Sequence, residues 1–222
     1  MKSLSRRKML GIIGIAPLAT GFVGQAYSQD SNPNGISSRE MIRQRYFPNL
    51  VLTTHENKKV RFYDDLIKDK IVLINMMYAK CEGICMPVTR NLRKVQQMLG
   101  DRVGRDIFFY SLSLKPAEDT PMMLKHYAEM HHVGPGWLFL TGDPSDLERL
   151  RQKLGFTNPD PKLDADKSQH IGMVRYGNEA LQLWAACPGM ANPSWIVESV
   201  SWVDWPKTRP AVVAPGEKGE RK

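Results

Sequence analysis

Short apolar runs and helical stripes of apolar residues alternate through the middle of the chain. Residues 71–78 form an almost continuous apolar run of strand length, which is typical of a strand buried on both faces of a sheet. A loop with two cysteines follows, and residues 87–99 then carry apolar side chains at the spacing i, i+4, i+7 and i+11. That period predicts an amphipathic helix whose buried stripe is Val88, Leu92, Val95 and Leu99.

The same pattern continues to about residue 205. Strands are predicted at residues 107–114 and 137–140, with hairpins at residues 50–63 and 170–186, the second turning at Gly177-Asn178. Helices are predicted to begin at Thr120-Pro121, Asp143-Pro144 and Asn192-Pro193. Strands that alternate with helices predict an α/β domain of thioredoxin-like fold, with a central mixed sheet flanked by helices.

The N-terminus is typical of an export signal. Residues 5–10 contain the pair Arg6-Arg7, and residues 9–23 form a weakly apolar stretch of 15 residues, short of the roughly 20 that span a bilayer. Gly24-Gln25-Ala26 offers small residues for cleavage. Residues 1–26 are therefore predicted to be a twin-arginine signal peptide that sends the protein to the periplasm. The alternative is an uncleaved membrane anchor; otherwise membrane contact is expected only through a partner.

Charge and composition set the remaining boundaries. Residues 27–45 are polar and are interpreted as a linker, residues 46–205 as the folded domain, and the Pro- and Gly-containing residues 206–222 as a disordered tail. The net charge is +8, but residues 1–26 carry four basic and no acidic residues, and residues 207–222 carry five basic and two acidic ones. The domain itself is close to neutral, which argues against a nucleic-acid partner.

Cys81 and Cys85 lie where the first buried strand gives way to a helix. The helix dipole and free N–H groups at a helix N-terminus favour thiolate, so we expect the pKa of both thiols to be lowered. Gly83 allows the loop to fold tightly. His170 begins a later predicted strand, and two thiolates with one imidazole suit a soft metal, copper or alternatively zinc.

Other interpretations of the cysteines remain open at this point. Cys81 and Cys85 have three residues between them, unlike the two of a thioredoxin motif, and in an oxidising compartment they suit a structural disulfide as well. Cys187 is placed in a loop after the last strand. It is interpreted as an unpaired thiol, as a partner for disulfide exchange, or as an auxiliary copper ligand with Met190. Met86, beside the loop, is a further candidate ligand.

The motifs together resemble the SCO/SenC family of copper proteins. The resemblance runs from about residue 46 to 176 and rests on Cys81-Glu82-Gly83-Ile84-Cys85, His170, Asp119-Thr120-Pro121 and residues 136–142. It implies a thioredoxin fold and a copper site, for Cu(I), Cu(II) or both, whose ligands are Cys81, Cys85 and His170. Residues 111–116 replace the family's usual Ser-Val-Asp-Pro, so we expect a carboxylate near the site to be lost.

The resemblance also implies a role. The chain is expected to be a periplasmic metallochaperone that delivers copper to an apo-cuproprotein such as subunit II of cytochrome c oxidase, at its CuA site. The alternative is a thiol–disulfide oxidoreductase in which Cys81 and Cys85 reduce the cysteines of the copper acceptor and are themselves reduced by a periplasmic thiol reductase. A thioredoxin-superfamily peroxidase is the third interpretation, but the chain lacks the Thr and Arg expected around one peroxidatic cysteine.

Overall fold

The computed structural model describes residues 36–81, 83–167 and 172–204. Within them, seven strands form one sheet: β1 (Val51–Thr54), β2 (Lys59–Arg61), β3 (Ile71–Met77), β4 (Ile107–Ser113), β5 (Trp137–Thr141), β6 (Met173–Asn178) and β7 (Leu183–Pro188). Their spatial order is β2-β1-β5-β4-β3-β6-β7. β3, β4 and β5 run parallel, whereas the pairs on either side are antiparallel. This mixed sheet confirms the predicted fold class.

Six α-helices accompany the sheet in the described residues: α1 (Ser38–Tyr46), α2 (Cys85–Leu99), α3 (Pro121–Met130), α4 (Pro144–Lys153), α5 (Pro161–Ala165) and α6 (Pro193–Val203). A π-helical turn (Phe62–Ile67) ends the first hairpin, and a short 3-10 turn (Gly100–Arg102) follows α2. No helix among these residues has both the length and the apolar character needed to cross a membrane.

The central strand and the helix after it follow the predicted pattern. All seven residues of β3 are buried, because the strand lies between β4 and β6 and both of its faces are covered. The predicted stripe of α2 is likewise buried at all four positions: Val88, Leu92, Val95 and Leu99. These two elements form the base of the thiol site.

The predicted helix starts are confirmed by their caps. Thr120 accepts a hydrogen bond from the Met123 N–H, Asp143 accepts from Ser145 and Asp146, and Asn192 accepts from Ser194. In each case proline occupies the first helical turn, where its missing N–H leaves no bond unmade. The local signals were sufficient here because capping depends on neighbours in sequence.

The predicted linker contains a helix. Its last residues fold as α1, and Arg39 of α1 donates to the carboxylate of Glu179, with Asp69 2.7 Å from the same guanidinium. Glu179 is 1% exposed and also accepts from the Tyr63 hydroxyl at 2.8 Å. The polar composition of this segment predicts only a linker, because the partners that hold α1 lie far away in sequence.

The second hairpin differs from the prediction. Gly177 and Asn178 are not the turn: they pair with Trp184 and Leu183 inside the ladder, and the turn is formed by residues 179–182. A Cβ at Gly177 would lie 2.3 Å from Cε3 of Trp184, so this glycine is needed for close packing rather than for chain reversal. The strand β6 begins at Met173, later than predicted.

Several expectations fall outside the described residues. They concern the signal peptide or anchor at residues 1–26, most of the linker, the tail at residues 206–222, and His170.

Candidate functional site

The two cysteines enter the site from different elements. The Cys81 N–H donates to the Tyr78 carbonyl at 3.2 Å, just beyond β3. Cys85 is the first residue of α2, so the helix begins two residues earlier than its apolar stripe predicts. The preceding residue, Ile84, makes no side-chain capping bond. The Cys85 backbone N–H, the first of this helix, donates to the Cys81 sulfur.

The loop provides hydrogen-bond donors to one sulfur. Cys81 is 4% exposed, and burial acts to raise its pKa. Hydrogen bonds from the Cys85 thiol, the backbone N–H groups of Cys85 and Gly83, and the Tyr78 phenol outweigh that penalty, so the pKa of Cys81 is lowered. The sequence prediction of a thiolate-favouring loop is confirmed for this residue.

For Cys85 the same prediction is wrong. Cys85 is 2% exposed, and its pKa is raised, first by burial and then by its hydrogen bond to Cys81. Two adjacent sulfurs in one buried site cannot both ionise at the same pH, because each anion opposes the other. Cys85 therefore stays protonated, and its S–H donates a hydrogen bond to the Cys81 thiolate.

Tyr78 is a site residue that the sequence analysis did not single out. Burial raises its pKa to about 12, with a further contribution from its hydrogen bond to Cys81. The Lys115 ammonium nitrogen lies 4.3 Å from the centroid of the Tyr78 ring, within cation–π range. A tyrosine at the end of a buried strand, three residues before the first cysteine, was the signal available in the sequence.

A buried carboxylate accepts hydrogen bonds from the chain just before the cysteine loop and from the end of β4. Asp119, 2% exposed, accepts from the Ala79 N–H at 3.0 Å and from the Ser113 hydroxyl at 2.5 Å. Burial raises the pKa of Asp119, and these two hydrogen bonds partly offset that effect. Although residues 111–116 depart from the family pattern, the site thus keeps a carboxylate next to the cysteine loop.

The third cysteine lies elsewhere than predicted. Cys187 is inside β7, paired with Val174 and 1% exposed, rather than in a loop. Burial alone raises its pKa to about 11. Met190 is 53% exposed, so a buried thiol and an exposed thioether do not favour the joint auxiliary ligand considered above. Met86 is half-buried in the first turn of α2.

The structure brings Cys81 and Cys85 together but does not test the histidine. His170 lies outside the described residues. Within residues 36–81, 83–167 and 172–204, no group of three or more His, Cys, Asp and Glu side chains is arranged to hold a metal ion. Two thiols are an incomplete copper site but a suitable start for one, since soft thiolate donors select Cu(I).

Comparison with known proteins identifies relatives over this same region. Residues 43–202 match the family model SCO1/SenC. The SCO1 protein homolog of Bacillus subtilis (strain 168) is 30% identical over 89 residues, which cover 39% of this chain and 46% of the relative. The chain spans about half the length of the curated relatives that it matches.

Solved structures share the fold. BsSco, whose structure is described as revealing a disulfide switch in a member of the Sco family of cytochrome c oxidase assembly proteins, is 23% identical with a TM-score of 0.57; the match covers 69% of this chain and 90% of BsSco. ScoI of Bradyrhizobium japonicum, solved with copper bound, is 20% identical with a TM-score of 0.56, covering 69% and 96%. At these identities the likeness supports a common architecture.

Proposed function

Because the chain belongs to the SCO1/SenC family, we propose that it binds copper through Cys81, Cys85 and His170 and delivers it to an apo-cuproprotein. The acceptor proposed is subunit II of cytochrome c oxidase, at its CuA site. The descriptions of BsSco as a cytochrome c oxidase assembly protein and of ScoI as copper-bound support this choice.

The observation that carries the proposal is the hydrogen-bonded pair of buried thiols. Cys81 is stabilised as thiolate by donors from the loop, while Cys85 holds the proton next to it. When the bound ion is Cu(I), it supplies a soft positive charge for which thiolate and imidazole are preferred donors. Binding to both sulfurs requires Cys85 to lose its proton, so copper uptake is expected to release a proton and to weaken as pH falls.

A close contact supports His170 as the third ligand. A Cβ at Gly172, two residues after His170 in the chain, would lie 2.5 Å from Cδ1 of Ile84. Ile84 directly precedes Cys85, and two residues of extended chain reach about 7 Å. Because Gly172 packs against the residue that precedes Cys85, this contact supports the proposal of His170 as third ligand.

Delivery can be tested by metal transfer between purified proteins. The full chain, loaded with one Cu(I), is mixed anaerobically with the apo form of the soluble CuA domain, and copper is measured in each protein after separation. The proposal predicts that copper moves to the acceptor with wild type and with the control Cys187→Ser, whose thiol lies in β7. Retention of all copper by the loaded chain, with the acceptor cysteines reduced, would contradict delivery.

A second function is favoured by the unequal thiols. The lowered pKa of Cys81 suits a nucleophile, and the protonated Cys85 beside it suits a resolving thiol. The Cys81 thiolate would attack an acceptor disulfide and release one acceptor thiolate. Cys85 would then displace the second acceptor sulfur from the mixed disulfide, leaving a Cys81–Cys85 disulfide and a reduced acceptor. The disulfide switch described for BsSco supports this alternative.

His170 separates the two functions. His170→Ala is expected to lose Cu(I) affinity while the rate of acceptor disulfide reduction stays near wild type, because exchange needs only the two thiols. Both rates are measured on the same preparation. Copper binding unchanged in His170→Ala would contradict the three-ligand site, and loss of both activities would indicate that the substitution disturbs the loop itself.

We also propose that the protein acts in the periplasm after export through residues 1–26, with residues 27–45 as a connection that contains all of α1 except its last residue. Replacing Arg6 and Arg7 by Lys is expected to block twin-arginine export, measured by cell fractionation. Mature protein in the periplasm despite the double substitution would contradict that route. A signal peptide still attached to membrane-bound protein would favour the anchor instead.

A further inference from the structure

A groove separate from the thiol site opens on the sheet. It has a cavity volume of about 420 Å³ and lies where α1, the end of α4, and strands β3, β6 and β7 meet. Its lining includes neither Cys81 nor Cys85, nor Tyr78, nor any other residue of the cysteine loop. A volume of this size is within the range of small-molecule sites.

The walls of the groove are apolar and belong to regular elements. They include Ile42 of α1, Ile74 of β3, Leu154 after α4, and the tilted aromatic pair Phe47 and Trp184, whose ring centroids are 4.5 Å apart. Ile74 is fully buried at its base. Such walls offer an apolar body a preformed surface that needs little ordering on binding.

A half-buried charged side chain, Arg175, lines the groove without a carboxylate partner among the described residues. Arg175 is half-buried, donates from Nη2 to the Gly155 carbonyl at 3.1 Å, and lies with its guanidinium carbon 5.8 Å from the centroid of the Phe156 ring. Across the described residues, no carboxylate lies within ion-pair distance of it. A guanidinium has five N–H donors. The bond to the Gly155 carbonyl uses one of them.

Most other arginines that are at least partly buried pair with carboxylates, whereas Arg93, like Arg175, bonds only a backbone carbonyl among the described residues. Arg39 contacts Asp69 and Glu179, Arg102 contacts Asp106 and Asp204, and Arg151 contacts Glu148 and Asp164. Each of those guanidinium groups is neutralised by two carboxylates. A partly buried cation left without an anion is costly, so the absence of a carboxylate at Arg175 points to an anion supplied from outside the described chain.

The rest of the lining fits an anion as well. Lys153 is exposed at the groove and is its second cation, and no Asp or Glu belongs to the lining. The groove therefore combines apolar walls with two cations and no carboxylate.

From this arrangement we infer that the groove binds a small amphipathic monocarboxylate, with its carboxylate on Arg175 and its apolar body against Ile42, Phe47, Ile74 and Leu154. A planar guanidinium matches a carboxylate in bidentate geometry. The apolar walls favour an acyl or aryl body over a sugar or nucleotide. This inference is independent of the proposed copper function.

Octanoate is the probe, with 1-octanol as its uncharged counterpart. Both are titrated into the full chain by calorimetry, and the five tryptophan indole N–H signals are followed by NMR, with Trp184→Phe used to assign the signal of interest. We expect saturable binding of one octanoate per chain, a shift of the Trp184 signal, and at least about tenfold weaker binding of octanol.

Variants of Arg175 test the assignment. Arg175→Met keeps an apolar side chain of similar length and is expected to weaken octanoate binding at least about tenfold while leaving octanol binding unchanged; Arg175→Lys should recover part of the loss. The control Lys94→Met removes an exposed charge from α2 and should leave both affinities unchanged. A thermal melt confirms that each variant is folded.

Three outcomes would overturn the inference. The first is the absence of saturable octanoate binding to folded wild type. The second is binding that Arg175→Met does not weaken, and the third is octanol binding as tightly as octanoate.

Discussion

Glu179 and the Cys81 thiolate are two buried anions, each stabilised by several converging hydrogen-bond donors. They differ in whether a cation is among those donors. Glu179 receives hydrogen bonds from Arg39, the Tyr63 hydroxyl and the Asp69 N–H. Cys81 receives them from another tyrosine hydroxyl and two backbone N–H groups, with the Cys85 thiol in addition. Converging donors hold both groups in the charged form in spite of burial.

The difference between the two sites is a cation. Arg39 neutralises Glu179, so that cluster is complete and fastens α1 to the domain. The hydrogen-bond donors that lower the pKa of Cys81 are all uncharged. A thiolate stabilised by neutral donors suits either a soft metal ion or an electrophilic sulfur. We therefore interpret the Glu179–Arg39 cluster as structural and the Cys81 site as the functional one.

The largest expected effect is a difference in alkylation rate between two buried thiols. Burial raises the pKa of Cys187 to about 11, so only about one molecule in ten thousand carries that thiolate at pH 7. The pKa of Cys81 is lowered, so its rate should reach half its plateau at a lower pH than an ordinary thiol. Mass spectrometry after timed iodoacetamide treatment measures both. Equal alkylation rates for Cys81 and Cys187 in folded protein would contradict the claim that Cys81 has the lower pKa of the two.

Glu179→Gln tests the completed cluster. Burial acts to raise the pKa of Glu179. Hydrogen bonds from Arg39, the Asp69 N–H and the Tyr63 hydroxyl outweigh that effect and lower the pKa to about 2, from an ordinary value of 4.5. A lowered carboxyl pKa contributes stability that is present above the ordinary value and is lost as pH falls through the folded value. We expect the substitution to cost about 1–3 kcal/mol at pH 7, and less as pH falls from 4.5 toward 2.

Urea unfolding at pH 7 and at low pH measures this difference, with Glu198→Gln as control because Glu198 is exposed on α6. The control should change the free energy of unfolding by about 0.5 kcal/mol or less at either pH. A Glu179→Gln penalty that grows on acidification would contradict the assignment of a stabilising carboxylate.

Substituting Asp119, beside the cysteine loop, should lower the free energy of unfolding by as much as Glu179→Gln does, or by less. Asp119→Ala leaves the Ala79 N–H and the Ser113 hydroxyl without their buried acceptor, which is expected to cost about 1–3 kcal/mol in unfolding free energy. Asp119→Asn retains an acceptor and should cost less. Thr120→Ala is the matched control, since it loses only the α3 cap, at about 1 kcal/mol. Equal losses for Asp119→Ala and Asp119→Asn would argue against this hydrogen-bonding role.

The smallest expected effect comes from one donor to the thiolate. Tyr78→Phe deletes the phenol that hydrogen-bonds to Cys81 and should raise the pKa of Cys81, because one donor to the thiolate is lost. The pH dependence of Cys81 alkylation measures the shift. Tyr127→Phe is the control, because the Tyr127 hydroxyl bonds to Thr89 at 2.9 Å. A shift as large in the control as in Tyr78→Phe would mean that general packing, rather than the phenol, sets the pKa.

Features that depend on neighbouring residues could be predicted from the sequence. The run that became β3, the stripe of α2 and the Thr120 cap follow from local pattern. The placement of Cys81 and Cys85 between a strand and a helix was predicted for the same reason. The loop that favours thiolate at Cys81 follows from that placement.

Features that depend on distant contacts could not be predicted. The Glu179–Arg39 contact joins residues 140 positions apart, so the segment containing α1 was interpreted only as a linker. The raised pKa of Cys85 results from its contact with Cys81, and sequence spacing alone does not show which sulfur keeps the proton. Gly177 has the composition of a turn, but in the fold it packs against Trp184.

The most direct test of the central claim is an anaerobic Cu(I) titration of the reduced full chain against a competing chelator, with copper counted per chain. We predict one tightly held copper in wild type and in Cys187→Ser, and none held against the chelator in Cys81→Ser or Cys85→Ser. Wild type that retains no copper while Cys81 and Cys85 are demonstrably reduced, or Cys81→Ser that binds like wild type, would contradict the claim that this pair of buried thiols is a copper site.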